Sequence, residues 1–484
     1  MISFLISIAA LILGYFLYAT FLEKVFGIDR NRTTPAYHLK DGVDFIPLPT
    51  WKIFMIQFLN IAGLGPIFGA IAGAMFGPSA FLWIVLGSIF AGAAHDYFSG
   101  MLSVRHNGLS ISEISGIYLG SWSKHLMRFF TIILLLFVGT VFMMGPAKII
   151  DGMSSHILNF WIWVFIILCY YFFSTLLPID KLISKLYPIF GIAMFVMTIG
   201  LIMVLFTGEY HVPEIQWGNL HNMTSYPEQT PMFPILFVTI ACGAISGFHA
   251  TQSPLMARCI KSERNGKFVF SGAMITEGVV ALVWAAVSMA YFGDVRGLNI
   301  AMETHDHNTA WAANEISLNM LGGIGGVLAL IGIVAAPITS GDTAFRSCRL
   351  ILADIFKLDQ KKVNKRLYIS IPLFITAFVL TQIEFDILWR YFAWSNQTLA
   401  VVVLWTITAY LIREQKLAWV TYVPAVFMTM VSATYILIAP EGFELPNIYA
   451  YIGGAFLTLL VILLFQNYVN NKQGNILKAI NIWK

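Results

Sequence analysis

Apolar residues run along this chain in blocks of about twenty, the length of one bilayer crossing, and polar residues gather between the blocks. The blocks predict thirteen membrane helices, at 2–22, 52–75, 80–103, 127–149, 158–178, 186–207, 231–255, 269–292, 320–345, 367–383, 388–411, 418–438 and 448–470. Span ten is the weakest, because Glu384 and Asp386 cut it short. The opening segment lacks a basic leader and a small-residue cleavage site, and its apolar run is long, so it is expected to be a helix and not a signal peptide. No soluble domain or low-complexity tract is expected between the spans.

The connections alternate in charge. Lys24, Arg30, Arg32, Lys40 and Lys52 follow span one, and Arg105, Lys124 and Arg128 follow span three. Lys181 and Lys185 come next, then Arg258, Lys261, Arg264 and Lys267. Arg346, Arg349, Lys357, Lys361, Lys362, Lys365 and Arg366 follow span nine; Arg413, Lys416, Lys472, Lys478 and Lys484 complete the series. Lys148, Arg296 and Arg390 fall on the other side. Basic loops stay in the cytoplasm, which predicts an N-terminus outside and a C-terminus inside.

Helix breakers cluster in two spans. Span two holds Asn60, Gly63, Gly65, Pro66 and Gly69; span seven holds Gly243, Ser246, Gly247 and Pro254. Glycine lets the backbone leave helical geometry and proline removes a donor. Irregular backbone at membrane depth must face protein or a polar cavity. Spans two and seven stand five apart and enter from opposite sides. The chain therefore divides into an N-terminal helix and loop (1–50), a five-helix repeat (51–207), an inverted repeat (231–411), and two C-terminal helices with a tail (412–484). Interrupted helices at matching places in inverted halves point to a midplane binding site. Gln57, Asn60, Gly63, Gly65, Ser246, Gly247 and His249 are its candidate residues. A half-helix N-terminus there would offer unpaired N–H groups to an anion. Simple close packing through glycine accounts for single glycines but not for Gly63 to Pro66 with an inverted counterpart. Span eleven carries a polar stretch, Trp394 to Thr398, that has no equivalent in span six.

Composition narrows the class. Of 484 residues 58% are hydrophobic and 11% charged, against roughly a quarter charged in soluble domains. The net charge of +4 gives no case for nucleic acid. Cys169, Cys242, Cys259 and Cys348 form no CxxC pair, so neither a disulfide framework nor a zinc knuckle is expected.

Ionisable residues at depth are functional candidates. His95, Asp96, His249 and Glu277 share a depth near the cytoplasmic side. They read either as a proton relay or as a hydrogen-bonded cluster that locks helices. Without HExxH or paired ligand spacing, no metal site is expected. Ser340, Asp342 and Thr343 are cation candidates, since hydroxyls and freed carbonyls suit sodium; the alternative is hydroxyls bonding their own helix. No cofactor is expected beyond H+ or Na+ as a coupling ion, and partners are the lipid bilayer and a small-molecule substrate.

The stretch Phe58 to Gly69 resembles the carbon-starvation family, CstA, as do Gly92 to Tyr97 with Ser103 to Arg105, Ala336 to Ala344, and Ser395 to Gln397. The resemblance is to the family's short form. It implies an all-α integral membrane protein with a LeuT-like five-plus-five inverted repeat. It also implies nutrient import in a bacterial inner membrane under carbon limitation. Peptides and pyruvate are the family's substrates, with proton coupling favoured for pyruvate. An uncoupled channel and a membrane-embedded enzyme are the rival readings; the enzyme lacks a nucleophile or metal motif.

Overall fold

The computed structural model describes residues 1–153, 158–176, 183–358, 360 and 363–482. Lys181, Lys361, Lys362 and Lys484 and positions 177 and 178 of span five lie outside the described residues. Every regular element among the described residues is helical, as expected for a chain whose backbone must satisfy itself within lipid. The elements are α1 (Ile2–Phe26), α2 (Thr50–Ala62), α3 (Gly65–Ala74), α4 (Ser79–Arg105), α5 (Ile111–Leu119), α6 (Ser121–Met153), α7 (Phe160–Leu176) and α8 (Ile183–Thr207). They continue as α9 (Met232–Thr239), α10 (Gly247–Ala257), α11 (Gly272–Tyr291), α12 (Val295–Thr304), α13 (Thr309–Phe356), α14 (Val363–Leu380), α15 (Phe385–Arg413), α16 (Trp419–Ile438) and α17 (Asn447–Ile482).

Among the described residues nine helices are long and apolar enough to cross a membrane, or ten when the bent pair α2 and α3 is counted as one span. The chain is a multi-pass membrane protein. Besides the bent span two, three expected spans differ from simple crossings. Span five is α7, only 17 residues long. Span seven is split into α9 and α10. Span nine lies inside α13, a helix of 48 residues that is interrupted at Gly322, where φ is +63°. Short helices α5 and α12 occupy connections where no helix is expected; Asp294 caps α12 by accepting from Gly297 N at 2.7 Å.

The chain is buried throughout both breaks, at 56–71 and at 240–257. The most apolar stretches of Ser79–Arg105 and Glu263–Tyr291 are 83% and 89% buried, whereas those of Ile2–Phe26 and Asn447–Asn471 are 28% and 22% buried. The first pair therefore packs on protein and the second lies on the outside of the bundle. α13 runs along α6, α8 and α2.

Two sets of connections meet at opposite ends. At one, Glu263 is fully buried and accepts from Arg105 Nε and Nη2 and from Asp29 N. Arg105 also donates to Gly27 O, and Lys416 donates to Phe26 O. These are the basic connections. At the other end Ile2 N and Ser3 N donate to Glu214 at 2.8 and 2.7 Å, and Asn447 Nδ2 donates to Glu228 O at 3.0 Å.

Candidate functional site

Both expected breaks are present, and they touch. α2 ends at Ala62; Gly63 then takes φ +45° and ψ −138°, a conformation that glycine adopts without a Cβ penalty. The helix resumes in a wide turn at Gly65–Gly69, bent by 53° from α2. Residues 240–246 separate α9 from α10. A Cβ on Gly65 would lie 2.6 Å from Cys242 Sγ, and one on Gly69 would lie 2.7 Å from Thr239 O. The glycines of the first break thus admit the backbone of the second.

An interrupted buried helix frees carbonyls and amides that must find partners. In the second break they are found on two other helices. Trp83 Nε1 donates to Ile240 O at 3.1 Å and Ser88 Oγ to Gly243 O at 2.9 Å, both from α4. From α15, Gln397 Nε2 donates to Ile245 O at 3.1 Å. Asn396 Oδ1 accepts from Ser246 Oγ at 2.9 Å and from Phe248 N at 2.7 Å, capping α10. This accounts for the polar stretch in span eleven, and α15 runs unbroken through it. Ser246 and Gly247 are therefore engaged with α15: a Cβ on Gly247 would lie 2.5 Å from Ala400 N. In the first break Leu59 O, freed where α2 ends, accepts from Ser340 Oγ at 2.7 Å.

The four ionisable candidates form one connected run, all fully buried. His95 Nδ1 is hydrogen-bonded to Asp96 Oδ1 at 2.8 Å and Asp96 Oδ2 to His249 Nδ1 at 2.9 Å; His249 Nε2 lies 3.3 Å from Glu277 Oε2, within ion-pair distance but with no hydrogen bond between them. The run crosses from α4 through α10 to α11. Cys242 joins its far end: its Sγ, a His249 ring nitrogen and a Glu277 oxygen lie within 4.8 Å of one another, a grouping that could hold a metal ion. Cys242 Sγ is also 3.6 Å from Ser246 Oγ and 3.7 Å from Asn396 Nδ2. The thiol is thus woven into the cap of α10.

The cation candidates divide. Ser340 and Thr343 share a face of α13 that meets α2, where Thr343 Oγ1 donates to Asn60 Oδ1 at 3.2 Å. Both hydroxyls also bond carbonyls of their own helix. Asp342 faces away, its Oδ2 accepting from Ser174 Oγ at 2.5 Å and Tyr187 OH at 3.1 Å. Among the substrate candidates, Gln57 Oε1 and Nε2 and Asn60 Nδ2 are buried without a hydrogen-bond partner among the described residues. Trp83, Ser88, Asn396 and Gln397 belong to the site yet are absent from the sequence-derived set. Only the last two carried a signal, as polar residues in an apolar span.

The family model described as carbon starvation protein CstA matches residues 1–156, 148–322 and 319–435. An uncharacterized membrane protein of Haemophilus influenzae is 40% identical over 349 residues, 62% of this chain and 94% of its own length. The peptide transporter CstA of Campylobacter jejuni is 26% identical across 87% of this chain and 78% of its own. The pyruvate/proton symporter BtsT of Escherichia coli is 27% identical across 62% of this chain and 50% of its own. Among solved structures, the manganese transporter of Eremococcus coleocola in complex with an aromatic bis-isothiourea compound has a TM-score of 0.58 at 13% identity, covering 90% of this chain and 99% of that one. That likeness is one of fold alone.

Proposed function

The chain belongs to the carbon starvation protein CstA family, and from that premise we propose that it is a secondary active transporter importing a small carboxylate, pyruvate or a short peptide, with a coupling cation. The observation that carries this reading is the buried run from His95 to Glu277 beside two broken helices in contact. Hydrogen bonds of 2.8 and 2.9 Å join His95, Asp96 and His249, close enough for a proton to pass between them, and Glu277 stands 3.3 Å from the free ring nitrogen of His249. Glu277 and His249 stand next to Cys242, and Cys242 touches Gly65, so separating the breaks changes the surroundings of the run. That is the link a symporter needs between proton and substrate.

Gln57 and Asn60 are the proposed substrate contacts. Buried amides are hydrogen-bonded as a rule, and their N–H groups suit a carboxylate. Asn396 already caps α10, so the carboxylate is assigned to these amides and not to the half-helix N-terminus. We read thirteen crossings, N-terminus outside, with 51–207 and 231–411 as inverted repeats. The convergence of basic connections at one end supports the orientation. Sodium coupling is the second reading; it rests on Asp342 Oδ1, which has no hydrogen-bond partner among the described residues.

The test is uptake of labelled pyruvate and labelled dipeptides into proteoliposomes, with proton and sodium gradients imposed separately and with a chelator in a parallel series. Concentrative pyruvate or dipeptide uptake driven by the proton gradient, and indifferent to the chelator, is the expected result. Saturable flux that no gradient can drive uphill makes the protein a facilitator. Loss of counterflow makes it a channel.

A further inference from the structure

Below the breaks, α13 carries a second polar feature. Asp342, Arg346 and Arg349 stand at i, i+4 and i+7, one stripe leading towards the end where the basic connections meet. Both arginines are fully buried. Arg346 donates from Nη2 to Ser174 O at 2.8 Å and lies 3.8 Å from Asp44 Oδ1. Arg349 donates from Nη1 to Gln360 Oε1. Its Nε and Nη2 have no hydrogen-bond partner among the described residues. Arg366, also buried, donates to Gln360 O and Leu176 O and adds a further positive charge.

The two nitrogens matter because they lie on one edge of the guanidinium, the edge that holds a carboxylate with two parallel bonds. Arg105 shows this use in the same protein: its Nε meets Glu263 Oε1 at 3.2 Å and its Nη2 meets Glu263 Oε2 at 3.1 Å. A buried guanidinium without such a partner is costly. Asp44 is within ion-pair distance of Arg346, and Asp342 is held by Ser174 and Tyr187. Neither is within ion-pair distance of Arg349.

We propose that the Nε and Nη2 edge of Arg349 binds the carboxylate of the transported substrate after it has left the breaks and before it is released. This rests on the transporter reading above and deepens it: the substrate passes as an anion, and a monocarboxylate is sufficient to be held.

Two measurements test the site. The first is melting of the full chain in nanodiscs with sodium acetate, sodium pyruvate, inorganic phosphate or sodium chloride. Acetate and pyruvate raise the melting temperature of the wild type. Arg349→Gln removes that rise, and its own melting temperature without ligand falls little, since among the described residues it gives up one hydrogen bond to Gln360 and no carboxylate partner. The second is pyruvate flux in proteoliposomes. Arg349→Gln raises the KM for efflux from the basic side about tenfold, the size of one lost charge-assisted contact, and leaves KM from the opposite side unchanged. Arg349→Lys, which keeps the charge without the fork, lies between.

Wild-type acetate response and efflux KM in Arg349→Gln overturn the site. If such a protein still transports pyruvate, the transporter reading stands without it. An Arg349-dependent acetate response in a protein that moves neither pyruvate nor dipeptides keeps the anion site and removes the transporter reading. A response to phosphate alone overturns the carboxylate assignment.

Discussion

Gly65 and Cys242 meet where the two broken helices cross, so closely that a Cβ on Gly65 would fall on the Cys242 side chain. Gly65→Ala therefore forces one helix away from the other. Overpacking of this kind costs about 1–3 kcal/mol, read as a lower melting temperature by tryptophan fluorescence in detergent. Removing the opposing side chain in the double variant Gly65→Ala, Cys242→Gly recovers part of that loss. Gly65→Val abolishes uptake. Normal stability and uptake in Gly65→Val would mean that this contact is dispensable.

Asn396 gives a second prediction. Asn396→Ala leaves Phe248 N and Ser246 Oγ without their acceptor, and loss of an N-cap costs about 0.5–2 kcal/mol. Asn396→Asp keeps an acceptor oxygen and holds the melting temperature closer to that of the wild type. Equal behaviour of the two variants would show that the acceptor is not what matters at this position.

Asp96 bridges two imidazoles. Asp96→Asn cannot carry a proton between them. Gradient-driven uptake falls by about tenfold or more, while substrate exchange, which need not release the proton, falls far less. A parallel loss of both, in protein that expresses and folds normally, would identify the run as a structural lock.

Orientation is open to a labelling experiment. Trp217 is 96% exposed in segment 208–230, and of the four cysteines only Cys169 is not buried. A Trp217→Cys variant in a Cys169→Ser background is labelled by an impermeant maleimide added outside intact cells. Labelling confined to inverted vesicles would turn the protein over.

The breaks were legible because glycine and proline announce them in the sequence itself. What completes them was not. Trp83 and Ser88 look like ordinary residues of an apolar span, and they reach Ile240 and Gly243 from about 155 positions away in the chain. Asn396 and Gln397 stood out as polar, yet nothing local says that they serve another helix. The division of the cation candidates follows from helical geometry: Ser340 and Thr343 are three apart and share a face, whereas Asp342 is turned about 100° from Thr343. His95, Asp96, His249 and Glu277 could be matched by depth alone, because each helix direction follows from charge alternation. Their actual pairing depends on rotation about each helix axis, which hydropathy does not encode.

The cap on α10 also limits how this molecule can deform. Pulling α10 away from α15 would break the bonds from Ser246 and Phe248 to Asn396 together with the one from Gln397 to Ile245 O, all in a region where no solvent replaces them. Separating α3 from α9 costs mainly apolar contact around small residues. A separation of elements would therefore go more easily at the glycines of the first break than between α10 and α15.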